Sequence, residues 1–129
     1  MIDNVGLVLD TDALLVYSAG SERVGLTMSR AADAGQSVLV PATCLAAAYS
    51  HAVAEGVPYL DILANLPYVV VAPLEHDRCA VLGGWARTLG LDLAHAAIEA
   101  ASHPIVRLMT AHRDMVTEFL PKEWPIIDV

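Results

Sequence analysis

The stretch Val5-Gly6-Leu7-Val8-Leu9-Asp10-Thr11-Asp12-Ala13-Leu14-Leu15 decides the fold, because an apolar run that stops at two carboxylates fits few architectures. Val5 to Leu9 reads as a short buried strand. The apolar residues after Asp12 suit a helix, with Thr11 or Asp12 as its N-cap. A strand that feeds directly into a helix opens a β-α-β unit. In open parallel sheets ligands sit outside the carboxyl ends of the strands, and Asp10 falls at such an end.

The same alternation continues outward from this stretch. Residues 16–20 close the first helical piece, Ser21 can cap a second helix running to residue 34, and Gly35 is its stop. Residues 37–40 read as a strand ended by Pro41, and residues 42–54 are strongly helical. Gly56-Val57-Pro58 interrupts them before a shorter helix at 59–65. A third strand at 68–71 is followed by Pro73, and a helical pattern runs from 74 to 89. Gly90 separates it from a further helix at 91–101. After Pro104, residues 105–109 form a fourth strand, and Thr110-Ala111-His112 leads into a helix ending near Leu120. The tail 124–129 supplies a fifth strand, with Pro125 suited to an edge. The expected class is therefore α/β, three layers with a central, mainly parallel sheet of about five strands. With 129 residues and no repeat, low-complexity run or long linker, one domain over 1–129 is expected.

Composition narrows the function. Hydrophobic residues make up 56% of the chain, yet charges, Pro and Gly break every apolar run before the roughly 18 residues a membrane helix needs. Much of the excess is alanine, which suits closely packed helices and, where exposed, a self-association surface such as a homodimer. No basic segment precedes the first apolar run, so a secretory signal is not expected and cytoplasm is the default. Cys44 and Cys79 lack CxxC spacing and sit in apolar helical contexts, which predicts two buried thiols and no disulfide. The net charge of −8 has the wrong sign for gripping a phosphate backbone by general attraction. A nucleic-acid substrate would need a metal ion among carboxylates or a basic partner, because Arg23, Arg30, Arg78, Arg87, Arg107 and Arg113 form no patch in sequence.

The strand ends supply the candidate chemistry. Asp10 and Asp12 follow the first strand, Thr43 the second, Glu75-His76-Asp77 the third, and Thr110 and His112 the fourth. Asp92 and His95 lie one turn apart near the start of a helix. A site at the switch point would draw on Asp10, Asp92 and His112 first. Each has a plainer alternative: Asp12 and Asp92 as helix caps, His95 as a histidine packed on a helix face, Thr43 and Thr110 as residues closing strand ends. The cluster Glu75-His76-Asp77 reads as a solvated helix start, where acids favour the macrodipole. Trp85 and Trp124 read as packing residues. No GxGxxG, P-loop, GxSxG elbow or paired-cysteine zinc spacing is present.

In this order the motifs resemble those of the PIN domain family, whose best-known members are the ribonuclease toxins of VapBC toxin–antitoxin pairs. The resemblance covers nearly the whole chain. Residues 8–15 are similar to the opening motif, which implies that Asp10 is a metal ligand, with Asp12 where a small polar residue is usual. Residues 40–49 resemble the second motif, but Ala47 stands where its glutamate is expected. Residues 92–96 resemble the third motif, with Asp92 as its acid. Residues 108–112 resemble the fourth, with His112 in place of its acid.

The resemblance implies Mg²⁺- or Mn²⁺-dependent hydrolysis of RNA, with an antitoxin-like protein partner. Asp10 and Asp92 could still hold one Mg²⁺, which keeps several waters and often uses only one or two carboxylates. Two metals would need more ligands than these. Asp12 is a candidate substitute for a missing acid, and His112 would bias the site toward manganese or another transition metal. The alternative reading is a catalytically degenerate PIN-like domain that works by association with protein or RNA; a third is a small-ligand domain on the same topology.

Overall fold

In the computed structural model, which describes residues 4–129, strands and helices alternate along the chain. In order they are β1 (Val5–Leu9), α1 (Thr11–Ser18), α2 (Glu22–Asp33), β2 (Ser37–Pro41), α3 (Ala42–His51), α4 (Val57–Ala64), β3 (Val69–Ala72), α5 (Cys79–Leu89), α6 (Leu91–Ala101), β4 (Arg107–Thr110), α7 (Arg113–Val116) and β5 (Ile126–Asp128). The strands form one all-parallel sheet in the order β3-β2-β1-β4-β5. Helices flank it to give the expected three-layer α/β/α fold.

β1 is central because its sequence tolerates burial on both faces: all five residues are buried. Val8 pairs with Leu39 on one side and Leu108 on the other, and Val70 and Ile126 extend the row to the outer strands. Partners in a parallel ladder point to the same face, so this row is one apolar stripe across the sheet. The long alanine-rich helix α6 is buried continuously from Leu93 to Ala100 and packs against β1, β2 and β4 as well as α3 and α5. Ala94, Ala96, Ala97 and Ala100 are fully enclosed, and their small side chains admit the close approach of these five neighbours. Among the described residues no helix is long and apolar enough to cross a membrane.

The topology places the crevice. From β1 the chain builds outward through β2 to β3, then crosses back to lay down β4 and β5 on the other side. The direction reverses between β1 and β4, and the segments leaving their carboxyl ends diverge there.

Several local expectations need correction. The N-cap of α1 is Asp10, not Thr11 or Asp12: its backbone is extended and its side chain accepts a hydrogen bond from Ala13 N at 2.9 Å. Asp10 N still donates to Met109 O, at 3.2 Å, so the ladder runs one residue past β1 and the helix begins immediately after it. Asp92 is not a cap either, because Gly90, at φ +82°, occupies the cap position of α6. The fourth strand starts at Arg107, since Ile105 adopts a left-handed conformation and is 83% exposed. The helix after His112 is a single turn, and Pro58 lies inside the first turn of α4, where its missing N–H costs nothing. Cys79 is exposed rather than buried, as Leu82 and Leu89 are the residues α5 turns inward.

Candidate functional site

A cleft of about 250 Å³ opens at the carboxyl ends of β1 and β4. Asp10, Thr11, Asp12, His51, Asp92 and His112 supply its polar wall, and Leu15, Leu89, Leu93 and Met115 its apolar one. Four of the residues expected at a switch-point site, Asp10, Asp12, Asp92 and His112, are thus brought together from three separate parts of the chain.

Asp10 is the deepest of them. It is 1% exposed, and while Oδ1 is held by the Ala13 amide, Oδ2 makes no hydrogen bond. Burial pushes its carboxyl up from 3.8 to about 6, helped by the charge of Asp12; the nearby Thr110 hydroxyl, the Ala13 amide and His112 act the other way. A buried carboxylate with one oxygen uncompensated is costly unless something arrives to satisfy it.

Asp92 stands in the first turn of α6, and its Oδ2 accepts a hydrogen bond from Thr11 Oγ1 at 2.5 Å. This contact joins the starts of α1 and α6 across 81 positions of sequence and fixes Asp92 in the wall of the cleft that Asp10 also lines. The Asp92 carbonyl also accepts from Cys44 Sγ at 3.1 Å, which ties in α3. Asp12 and His112 meet across the cleft mouth, Oδ2 to Nε2 at 2.6 Å, with both side chains partly exposed. His112 is held from its backbone as well, its N donating to Thr110 Oγ1 at 3.0 Å.

Three expected accessory residues do not line the cleft. His95 is 1% exposed and turns inward, its Nδ1 2.8 Å from Thr43 Oγ1. Its Nε2 lies 3.4 Å from Glu99 Oε1 but is not aligned for a hydrogen bond, and Arg78 Nη1 donates to the same oxygen at 3.1 Å. Thr43 and His95 therefore belong to a buried polar link among α3, α6 and the start of α5. Thr110 is buried behind His112 and anchors it. Conversely, sequence reasoning missed Thr11 as more than a cap, and His51, whose position at the end of α3 carries no local signal.

The donor set suits a small number of oxygen ligands. Among the described residues no three His, Cys, Asp or Glu side chains sit close enough to enclose an ion by themselves. Mg²⁺ commonly uses one or two carboxylates and completes its sphere with water and substrate oxygens. The unpartnered Asp10 Oδ2 and the oriented Asp92 carboxylate meet that lower requirement. Ala47 brings no carboxylate from α3, and no Lys or Arg lines the cleft. Arg113, two positions beyond Ala111, is instead paired with Asp128 through Nε–Oδ1 and Nη2–Oδ2 contacts of 2.9 Å.

The two thiols behave oppositely. Burial pushes the Cys44 thiol far above its ordinary range, so its reactive thiolate is scarce, whereas Cys79 is open to solvent. A thiol reagent at pH 8 is expected to modify one cysteine per folded chain, with Cys79→Ser removing that reaction and denaturant exposing the second.

Comparison of the chain with known protein families, with curated proteins and with solved structures finds no match in any of the three.

Proposed function

We propose that this chain is a PIN-like domain, similar to VapC-type toxins, that hydrolyses RNA phosphodiester bonds with a divalent cation held by Asp10 and Asp92. The observation that carries the reading is the convergence of these two carboxylates on one switch-point cleft, with Asp10 Oδ2 buried and unpartnered. A cation bound there supplies Lewis-acid polarisation of a phosphoryl oxygen and makes a bound water more acidic. The chain's own part is positional. The Ala13 amide fixes Asp10, Thr11 fixes Asp92, and Leu15, Leu89, Leu93 and Met115 give the cleft a dry wall. Because the net charge is −8 and, among the described residues, no Lys or Arg lines the cleft, the cation is also what lets a phosphate approach.

The test is incubation of the purified chain with mixed single-stranded RNA in Mg²⁺ or Mn²⁺. Cleavage is expected to fall by about two orders of magnitude or more in Asp10→Ala and in Asp92→Ala, as loss of a ligand removes transition-state charge stabilisation. Cleavage that persists unchanged in both variants contradicts the assignment.

A second reading is favoured by Ala47, which removes an acid from α3, and by the exposed apolar side chains Val53, Tyr59 and Ile62 on and before α4. Under it the chain is a catalytically degenerate relative acting in the cytoplasm through association with an antitoxin-like protein, RNA or a second copy of itself. Wild-type protein that cleaves no RNA yet migrates as a stable dimer or complex would support it.

A further inference from the structure

We infer that a groove beside the cleft is a second subsite for the RNA strand, where Arg113 binds a phosphate flanking the reacting one. In the free chain the Asp128 carboxylate stands in that phosphate's place. The inference rests on the nuclease reading of the cleft and adds where the strand runs beyond it.

Three observations lead there. The first is continuity: a groove of about 430 Å³ shares His112 and Met115 with the cleft and adds Arg113, Asp114 and Asp128. It lies on a path that a strand seated in the cleft can follow, and among the described residues Arg113 is the one Lys or Arg lining either cavity. The second is the way the guanidinium is held. Arg113 Nη2 donates to the Ile126 carbonyl at 3.0 Å, so the main chain of β5 fixes it whatever the Asp128 side chain does. Arg23 is placed likewise, its Nη1 donating to the Asp128 carbonyl at 2.8 Å. The third is the carboxylate. Asp128 Oδ1 and Oδ2 accept from Arg113 Nε and Nη2, each at 2.9 Å, the two-pronged geometry that a guanidinium also offers a phosphate. The pair is open to water, its side chains 46% and 64% exposed.

Charge explains both the need for such a subsite and its occupation by the chain itself. A chain of net charge −8 repels a polyanion, and among the described residues the cleft offers it no Lys or Arg. A cation in the cleft serves the reacting phosphate; the next phosphate needs a positive partner of its own. Arg113 and Arg23 both face Asp128: the Arg113 hydrogen bonds hold that carboxyl below its ordinary range, and the Arg23 charge acts the same way. Asp114 lies close enough to Arg113 to offset part of this field, so losing the Asp128 charge is what turns the groove attractive. A phosphodiester carries one negative charge, as a carboxylate does, so exchanging them at Arg113 leaves the local charge unchanged. A solvent-exposed pair is weakly held, and a strand anchored in the cleft as well competes for it at high effective concentration.

The experiment measures binding, not turnover. A labelled single-stranded RNA of mixed sequence is titrated by fluorescence anisotropy in EDTA, where the cation plays no part, at salt from about 50 to 200 mM. The proteins are wild type, Asp128→Asn, Asp128→Asn combined with Arg113→Lys, and Asp33→Asn. Asp128→Asn is expected to bind about tenfold more tightly than wild type, with log Kd against log salt steeper by about 0.7, the share of one phosphate contact on a single strand. Adding Arg113→Lys is expected to remove most of that gain, because an ammonium keeps the charge without the fork. Asp33→Asn makes the same charge change at the end of α2 that leads into β2, by the amino edge of the sheet, and is expected to bind like wild type. Asp128 is exposed and Asn keeps an oxygen for Arg113, so β5 stays in place. Equal affinity in wild type and Asp128→Asn, a gain that Arg113→Lys leaves intact, an equal gain in Asp33→Asn, or no binding by any of the four overturns the subsite. Each of these leaves the nuclease reading standing, since metal-dependent cleavage and its loss in Asp10→Ala decide that separately.

Discussion

Asp10→Asn is expected to stabilise the fold at neutral pH by about 2 to 3 kcal/mol, raising Tm by roughly 10 °C, while abolishing cation binding. The sign follows from the raised carboxyl. Ordinary carboxyls of this type titrate near 3.8 and burial moves Asp10 to about 6, so the folded chain prefers the protonated form. Well below pH 3.8 the carboxyl is protonated in both folded and unfolded chains, and it contributes no penalty. As pH rises from about 4 to 6 the unfolded chain ionises first, and the wild-type fold loses stability; above about 6 the loss is complete. Asn keeps an oxygen for the Ala13 amide and carries no charge to bury. Melts at pH 3, 5, 6 and 7 should therefore show the two proteins nearly equal at pH 3 and diverging to a plateau above pH 6. A variant less stable than wild type at pH 7, or a difference that does not change with pH, contradicts the burial of an ionisable Asp10. A residue whose neutral replacement strengthens the fold is one retained for something other than folding.

The second large effect is structural. Leu108→Ala is expected to cost about 3 to 4 kcal/mol and to lower Tm by roughly 10 °C or more. Leu108 is fully buried and lies between Val8 and Ile126 in the apolar row that crosses the sheet. Truncation leaves a cavity in a sheet whose neighbours are fixed by the ladder, so relaxation can recover little. β4 carries Thr110 and, beyond it, His112, so this cavity sits directly under one wall of the cleft. Cation affinity measured well below the lowered Tm should stay within a few-fold of wild type, because no ligand has been removed. A variant that melts like wild type would show that the β1–β4 seam is not the centre of the core.

Much of this was legible in the sequence for physical reasons. β1 and α6 have the bounds expected of them because a fully apolar run ending in acids and a Gly-started alanine helix each have one consistent reading. The order of strands and helices fixed a parallel sheet, and the strand ends named Asp10, Asp12, Asp92 and His112. What was not legible depended on contacts distant in sequence. Asp10, Thr11 and Asp12 are all capping residue types, and Asp10 is the cap because the ladder bond to Met109 continues the strand through it while its side chain takes the Ala13 amide. Thr11 acquires its second role from Asp92, 81 positions away. His95 lies one turn from Asp92, yet α6 turns it inward to Thr43 and Glu99 while Asp92 faces the cleft. Apolar neighbours made Cys79 look buried, but neighbouring Val81 is itself 55% exposed.

The central claim is that Asp10 and its neighbours hold a divalent cation at the switch point. Calorimetric titration of Mn²⁺ into the wild-type chain and into the folded Asp10→Asn variant at pH 7.5 tests it most directly. One saturable site per chain in wild type and none in Asp10→Asn is the predicted result. Equal binding in the two proteins, or none in either, would contradict it.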